Sequence, residues 1–194
     1  MNRTEDVASI RRHYEKVWST HAEVLHHDKG PIHELSAEFC VLRFSPSDKR
    51  NSYTYATCGM SLPDDSERLE VFLLSPVADD CLCELMTMLA HYHRTLREFG
   101  LGHLLQIGHP WLPGSQCDSG LISLPYLDGP KLEWMKTDET TIRFLWLIPI
   151  TTDERIFCRE NGVDALESLF ESSRFNYINP NRESVVPPDQ RKTA

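Results

Sequence analysis

Residues 144–155 read Phe-Leu-Trp-Leu-Ile-Pro-Ile-Thr-Thr-Asp-Glu-Arg, and this stretch restricts the fold more than any other. Its first half is bulky, apolar and unbroken by polar residues. So short a run, rich in aromatic and branched side chains, predicts a strand covered on both faces. Pro149 lacks a backbone donor, so the strand is expected to end there or lie at an edge. Thr151 and Glu154 have the spacing of a capping box, in which the Thr oxygen accepts the N3 amide and the Glu reaches back. A buried strand therefore turns directly into a helix. The segment holds no nucleophile, phosphate loop or metal cage, which makes it scaffold.

At 194 residues the chain is long enough to bury roughly 70% of its unfolded surface, so it needs neither disulfides nor a metal to fold. It is expected to be a single domain over residues 1–178, with an extended or disordered tail over 179–194. A net charge of −9 argues against nucleic-acid binding, which needs clustered Lys and Arg. It suits a basic protein partner, which an acidic face would steer toward itself, and it also serves plain solubility. The N-terminus, Met-Asn-Arg-Thr-Glu-Asp-Val, has no apolar core of a signal peptide. No apolar run approaches the ~20 residues of a membrane span. The expectation is a cytoplasmic protein, off the membrane, with its six cysteines reduced.

Apolar spacing predicts a helix over 4–18 and a longer one from Asp79 or Asp80 to Phe99, closed by Gly100. Strands are expected over 35–44, 52–58, 69–74, 104–107, 121–127, 131–135 and 141–148. Residues 21–31, ending in Gly30-Pro31, read as loop, and 61–67 as a turn, with further turn chemistry at Pro110, Pro113-Gly114 and Asp128-Gly129-Pro130. Helices over 152–159 and 163–172, split by Gly162, complete the chain. Strands and helices do not alternate regularly. That favours an α+β fold, a mixed or antiparallel sheet packed with helices, over a doubly wound one.

The reactive-looking clusters have simpler readings. His91 and His93, like Cys81 and Cys83, are two apart on a helix and point about 200° from each other, so neither pair can share an ion. His93 falls on the apolar stripe and reads as a core histidine. His103 and His109 are separated by roughly 20 Å of strand. His26-His27-Asp28 stands in a loop without a second half, and no C-x-x-C pair occurs. Gly100, Gly102 and Gly108 lack the dinucleotide spacing and follow a helix. A Cys117 nucleophile with Asp118 and His109 can be drawn, without local support. The expected set is therefore no catalytic residue, no cofactor and no metal. Trp111, beside Pro110, reads as an exposed anchor for a partner.

Several blocks resemble bacterial members of the suppressor of fused family. They are Tyr53-Thr-Tyr-Ala-Thr-Cys-Gly-Met-Ser61, Arg68-Leu-Glu-Val-Phe-Leu-Leu-Ser75, Glu84-Leu-Met-Thr-Met-Leu-Ala-His-Tyr92, Gly108-His-Pro-Trp-Leu-Pro-Gly-Ser115, Leu121-Ile-Ser-Leu-Pro-Tyr-Leu127, the opening segment, and Arg182-Glu-Ser-Val-Val186. Together they run from about Leu35 to Val186 in the family's order. The resemblance implies an α+β domain that binds proteins and has no catalytic residues. Animal members bind Gli transcription factors through a peptide added as a strand. Bacterial members resemble immunity proteins that neutralise a toxin domain, often a basic nuclease. In the animal proteins a tyrosine of an Ala-Arg-Tyr motif lies at the peptide groove, and Tyr92 of Leu89-Ala-His-Tyr92 matches it. The acidic groove residue after that helix has no match, since this chain has Gly102-His103. The larger C-terminal domain of the animal members also has no counterpart. Both departures weigh against Gli-type peptide binding. The candidate partner-binding residues are Tyr92, His103, Trp111 and Asp118. A regulatory adaptor without a toxin, and a Cys/His hydrolase or metal enzyme, are the alternatives.

Overall fold

A computed structural model describes residues 3–29, 32–137 and 140–191. The first helix is α1 (Arg3–Trp18), followed by β1 (Glu23–Leu25), a 3-10 turn (Ile32–Glu34), β2 (Cys40–Phe44), β3 (Tyr53–Cys58) and β4 (Arg68–Ser75). Next come α2 (Cys81–Thr95), β5 (Leu104–Gln106), β6 (Cys117–Ser123), α3 (Pro130–Glu133) and β7 (Trp134–Lys136). The chain closes with β8 (Thr141–Thr151), α4 (Thr152–Asn161), α5 (Val163–Ser172) and a 3-10 turn (Pro188–Gln190). The sheet is mixed, with strand order β1-β2-β3-β4-β8-β6-β5, and β7 pairs with β8 off this path. The fold is α+β, as the irregular alternation predicts.

The chain divides into two compact units. In the first, which runs to Leu101 and resumes over Leu124–Trp146, β1 to β4 form an antiparallel meander. β4 then pairs in parallel with the first half of β8, from Arg68↔Ile142 to Phe72↔Trp146. Asp6, Ile10, Tyr14 and Trp18 form the buried stripe of α1, one residue per turn. Tyr14 stacks on Trp18 at 4.8 Å and meets Phe144 edge-on at 4.9 Å, while Trp18 packs edge-on against Phe44 at 4.7 Å. Asp6 is buried because it pairs with Arg68 of β4.

Also in this unit, Glu70 of β4 is wholly buried. Its carboxylate accepts the Thr57 hydroxyl at 2.6 Å and the amides of Gly59, Met60 and Ser61 at 3.1–3.3 Å. That carboxylate supplies the acceptors for a tight turn, entered through Gly59 at φ +87°.

The second unit contains Gly102–Ser123 and the chain from Leu147 onward. β5 and β6 pair antiparallel, and β6 neighbours the second half of β8. A Cβ on Gly120 would come within 2.5 Å of Leu147 Cδ1, so any larger residue here makes the Leu147 side chain shift. Thr151 and Glu154 form the expected capping box, and Gly162, at φ +91°, separates α4 from α5.

Several expectations are corrected. β8 continues two residues past Pro149. Its pairing with β4 stops at Trp146, so the missing proline donor interrupts no rung there. Residues 35–39 are not strand, because Leu35 and Phe39 close turns on the Ile32 and Ser36 carbonyls. The 21–31 loop contains β1, which adds to β2; Gly30-Pro31 lies outside the described residues. α2 stops at Thr95 and Gly100 does not cap it. The Leu96 and Arg97 amides both turn onto the Tyr92 carbonyl, and the Phe99 amide is taken by His93 Nδ1. Residues 131–135, expected to be extended, begin as α3. Gly129 at φ +64° and Pro130 at the first helical position start that helix. β6 begins at Cys117, four residues before the expected 121–127 strand, and ends at Ser123.

Candidate functional site

α2 presents two faces. Leu82, Leu85, Met86, Leu89 and His93 are buried. A second row, Glu84, Met88, Tyr92 and Leu96, follows at intervals of four and so runs along one side of the helix. Met88 is 51% exposed and Leu96 74%. This row lines a cleft of about 320 Å³ together with His27, Ile32 and His91. Tyr92 sits between Met88 and Leu96, its ring 6.4 Å from that of Phe99. The cleft's surface is mostly apolar, and Glu84, His27, Lys29 and His91 add polar groups to its lining. Such a surface can hold an apolar side chain of a partner inside a polar rim.

Sequence reasoning singled out Tyr92 but not Met88. Leu96 is the most exposed large apolar side chain of the described residues. The available signal was the four-residue spacing of Met88, Tyr92 and Leu96, a second apolar row beside the core stripe.

The other three candidates belong to the second unit and do not line this cleft. His103 is half-buried, and its carbonyl accepts the Ile122 amide at 2.9 Å. Trp111 is only 2% exposed, which corrects the exposed-anchor expectation. Its amide bonds the Cys117 carbonyl at 3.0 Å, which folds the 111–117 loop back on itself and takes the ring inside. Asp118 accepts the Thr152 hydroxyl at 2.8 and 3.0 Å and the Ser119 hydroxyl at 3.0 Å, so its carboxylate ties β6 to the first turn of α4.

The reactive clusters also resolve. Cys117 is buried, and burial pushes its thiol above the usual range, the reverse of an activated nucleophile. His109 is exposed, with Nδ1 2.9 Å from the Pro110 carbonyl. His93 is a satisfied core residue, whereas His91 faces the cleft, so the two do point apart. Among the described residues no group of three or more His, Cys, Asp and Glu is placed to hold a metal ion. Among them, too, no helix is long and apolar enough to cross a membrane.

A smaller cleft of about 210 Å³, also in the first unit, is lined by Arg68, Leu101, Trp134 and Arg143 among others. The Arg143 guanidinium lies 5.0 Å from the Trp134 ring and is bonded to Glu133, so its charge is already engaged.

The suppressor of fused protein family model matches residues 36–183. A solved suppressor of fused homologue from Neisseria gonorrhoeae is 31% identical, with TM-score 0.83, over 94% of this chain and 97% of that one. The Sufu–Fu complex structure aligns at TM-score 0.68 and 12% identity, covering 93% of this chain and 92% of that one. Drosophila Suppressor of Fused aligns at TM-score 0.66 and 14% identity, over 93% of this chain and 51% of its own. At such identities the last two show likeness of fold. No curated protein matches the chain. With three quarters of its length under the family model, and a 31% identical relative matched almost end to end, the chain belongs to the suppressor of fused family.

Proposed function

We propose that this chain is a non-catalytic protein-binding domain that acts in the cytoplasm as an immunity protein, neutralising a toxin domain by direct contact. The observation that carries the reading is the exposed Met88–Tyr92–Leu96 row on α2. A monomeric soluble domain has little reason to leave two large apolar side chains half or more exposed on either side of a tyrosine unless a partner covers them. Tyrosine and methionine are enriched in such contacts. The −9 charge favours a basic partner, such as a nuclease toxin, by steering its approach. A relative of the same fold is known in the Sufu–Fu complex. Tyr92 is the central contact. His103 and Asp118, both half-exposed, are secondary contacts, and buried Trp111 is support for the 111–117 loop.

The test is co-expression with toxin domains encoded beside the gene. Growth is expected to recover, with the toxin copurifying in a stoichiometric complex. If no toxin is encoded there and no partner copurifies, the immunity reading fails. Cys117→Ala is expected to leave protection intact. A turnover abolished by that change would instead make the protein an enzyme.

A further inference from the structure

β2 and β3 are antiparallel, and their register sets Cys40 directly opposite Cys58. Residues paired in this way have Cα atoms about 4.5–5.5 Å apart, within the roughly 4.4–6.8 Å that a disulfide spans. Both thiols are free. They are not equivalent. Cys40 keeps 6% exposure and Cys58 none. The Cys58 sulfur also lies 3.4 Å from the Val7 carbonyl of α1, to which it can donate. The neighbouring Cys58 thiol holds the Cys40 thiol below its usual range, while the nearness of Cys40 and then burial push Cys58 well up. One sulfur is thus set to react first and the other to follow.

We propose that Cys40 and Cys58 are an oxidisable dithiol that hydrogen peroxide closes into a cross-strand disulfide. The Cys40 thiolate attacks one peroxide oxygen. An S–O bond forms, the O–O bond breaks, and the released hydroxide takes up a proton to become water. Cys40 is now a sulfenic acid, two electrons oxidised. The Cys58 sulfur then attacks the Cys40 sulfur. The S–S bond forms, the S–O bond breaks, and the leaving hydroxide takes the Cys58 proton as a second water. Two thiols and one peroxide give one disulfide and two waters. Peroxide suits this place because a cysteine only 6% exposed admits a small oxidant more readily than a bulky one. The Cys58 proton is consumed, so its contact with the Val7 carbonyl is lost. Oxidation is therefore felt in α1 as well as in the sheet. In the ordinary alternative the two cysteines are inert apolar packing, and that alternative predicts no intramolecular link.

The experiment uses the full chain, folded, under graded peroxide, then alkylation in denaturant, intact mass and peptide mapping. The expected product is two hydrogens lighter, has lost two of its six thiols, shows residues 40 and 58 linked, and reverts with dithiothreitol. Cys58→Ser is expected to stop at the Cys40 sulfenic acid, trapped by dimedone. Cys40→Ser is expected to slow oxidation of Cys58 by about tenfold or more, since the more ionised thiol is gone. Six intact thiols, a link between other cysteines, or a 40–58 link that forms only after unfolding would overturn the proposal. If either variant fails to fold, the wild-type map alone decides.

Discussion

Arg182 reaches back to Glu154 as a fork: Nη1 lies 2.6 Å from Oε1 and Nη2 2.7 Å from Oε2. Glu154 is wholly buried and Arg182 nearly so. The same carboxylate accepts the Thr151 amide and the Val185 amide, each at 2.9 Å. One side chain therefore closes the start of α4 and fastens the C-terminal segment, while Arg182 Nη2 also donates to the Pro149 carbonyl at 2.8 Å.

Arg182→Ala removes the counter-charge and leaves a buried carboxylate. Breaking one side of such a pair costs about 3–5 kcal/mol. The expected result is a lower urea midpoint with an unchanged slope. Val186, 1% exposed, is expected to lose its seat, so limited proteolysis should cut near it first. A variant as stable as the wild type would make the pair incidental.

Glu70 is buried with no basic group among the described residues bonded to it, and desolvation lifts its carboxyl from the usual 4.5 to about 7, against the pull of the Thr57, Ser61, Met60 and Gly59 bonds. The folded-state value lies above the unfolded one. The favourable contribution of the protonated form is therefore fully present below about pH 4.5 and is lost as pH rises through 7. A shift of this size corresponds to a few kcal/mol. Protonation can be accommodated, because the Thr57 hydroxyl can turn to the Val71 carbonyl, 3.3 Å away, and accept from Glu70 instead. Glu70→Gln cannot ionise. Across pH 5–8 the difference in stability between it and the wild type is expected to move in favour of the variant as pH rises. Parallel curves would mean that Glu70 does not titrate there.

Thr151→Ala should cost about 1 kcal/mol, the usual worth of a side-chain N-cap. Its hydroxyl accepts the Glu154 amide at 3.3 Å, and the alanine cannot. Thr151→Ser is expected to restore most of that loss in the same thermal melt.

This corner was legible in the sequence because its signals are local. An unbroken apolar run, a Thr–x–x–Glu spacing and a glycine at 162 each act within a few residues, and β8, α4 and α5 follow from them. What binds the corner was not legible as physics. Arg182 stands 28 positions from Glu154, and nothing in its neighbourhood announces a buried ion pair. The same holds for Asp6 with Arg68, which a helical pattern alone assigns to the polar face of α1. β1 was missed because three residues carry almost no periodicity. Trp111 was misplaced because proline beside tryptophan reads as surface loop, whereas the Trp111–Cys117 backbone bond turns the ring inward. Of the candidate site, Tyr92 came from family resemblance. Met88 and Leu96 required knowing which side of α2 faces the sheet.

The cleft gives the sharpest functional prediction. Met88 and Leu96 are 51% and 74% exposed, so Met88→Asp and Leu96→Asp should change stability by no more than about 0.5 kcal/mol. If the toxin covers this row, each buries an uncompensated carboxylate in the complex. The loss is expected at the level of a hot spot, about 2 kcal/mol or more, which is at least tenfold in affinity. Tyr92→Ala is expected to weaken binding too, with some loss of stability because the ring packs near Phe99. Val77→Asp, 47% exposed and outside the cleft, supplies the control for a new surface charge. Titration calorimetry with the purified toxin domain and growth protection should rank the variants alike. Equal weakening by Val77→Asp would make the effect one of overall charge. Full binding by both cleft variants would move the contact surface off α2.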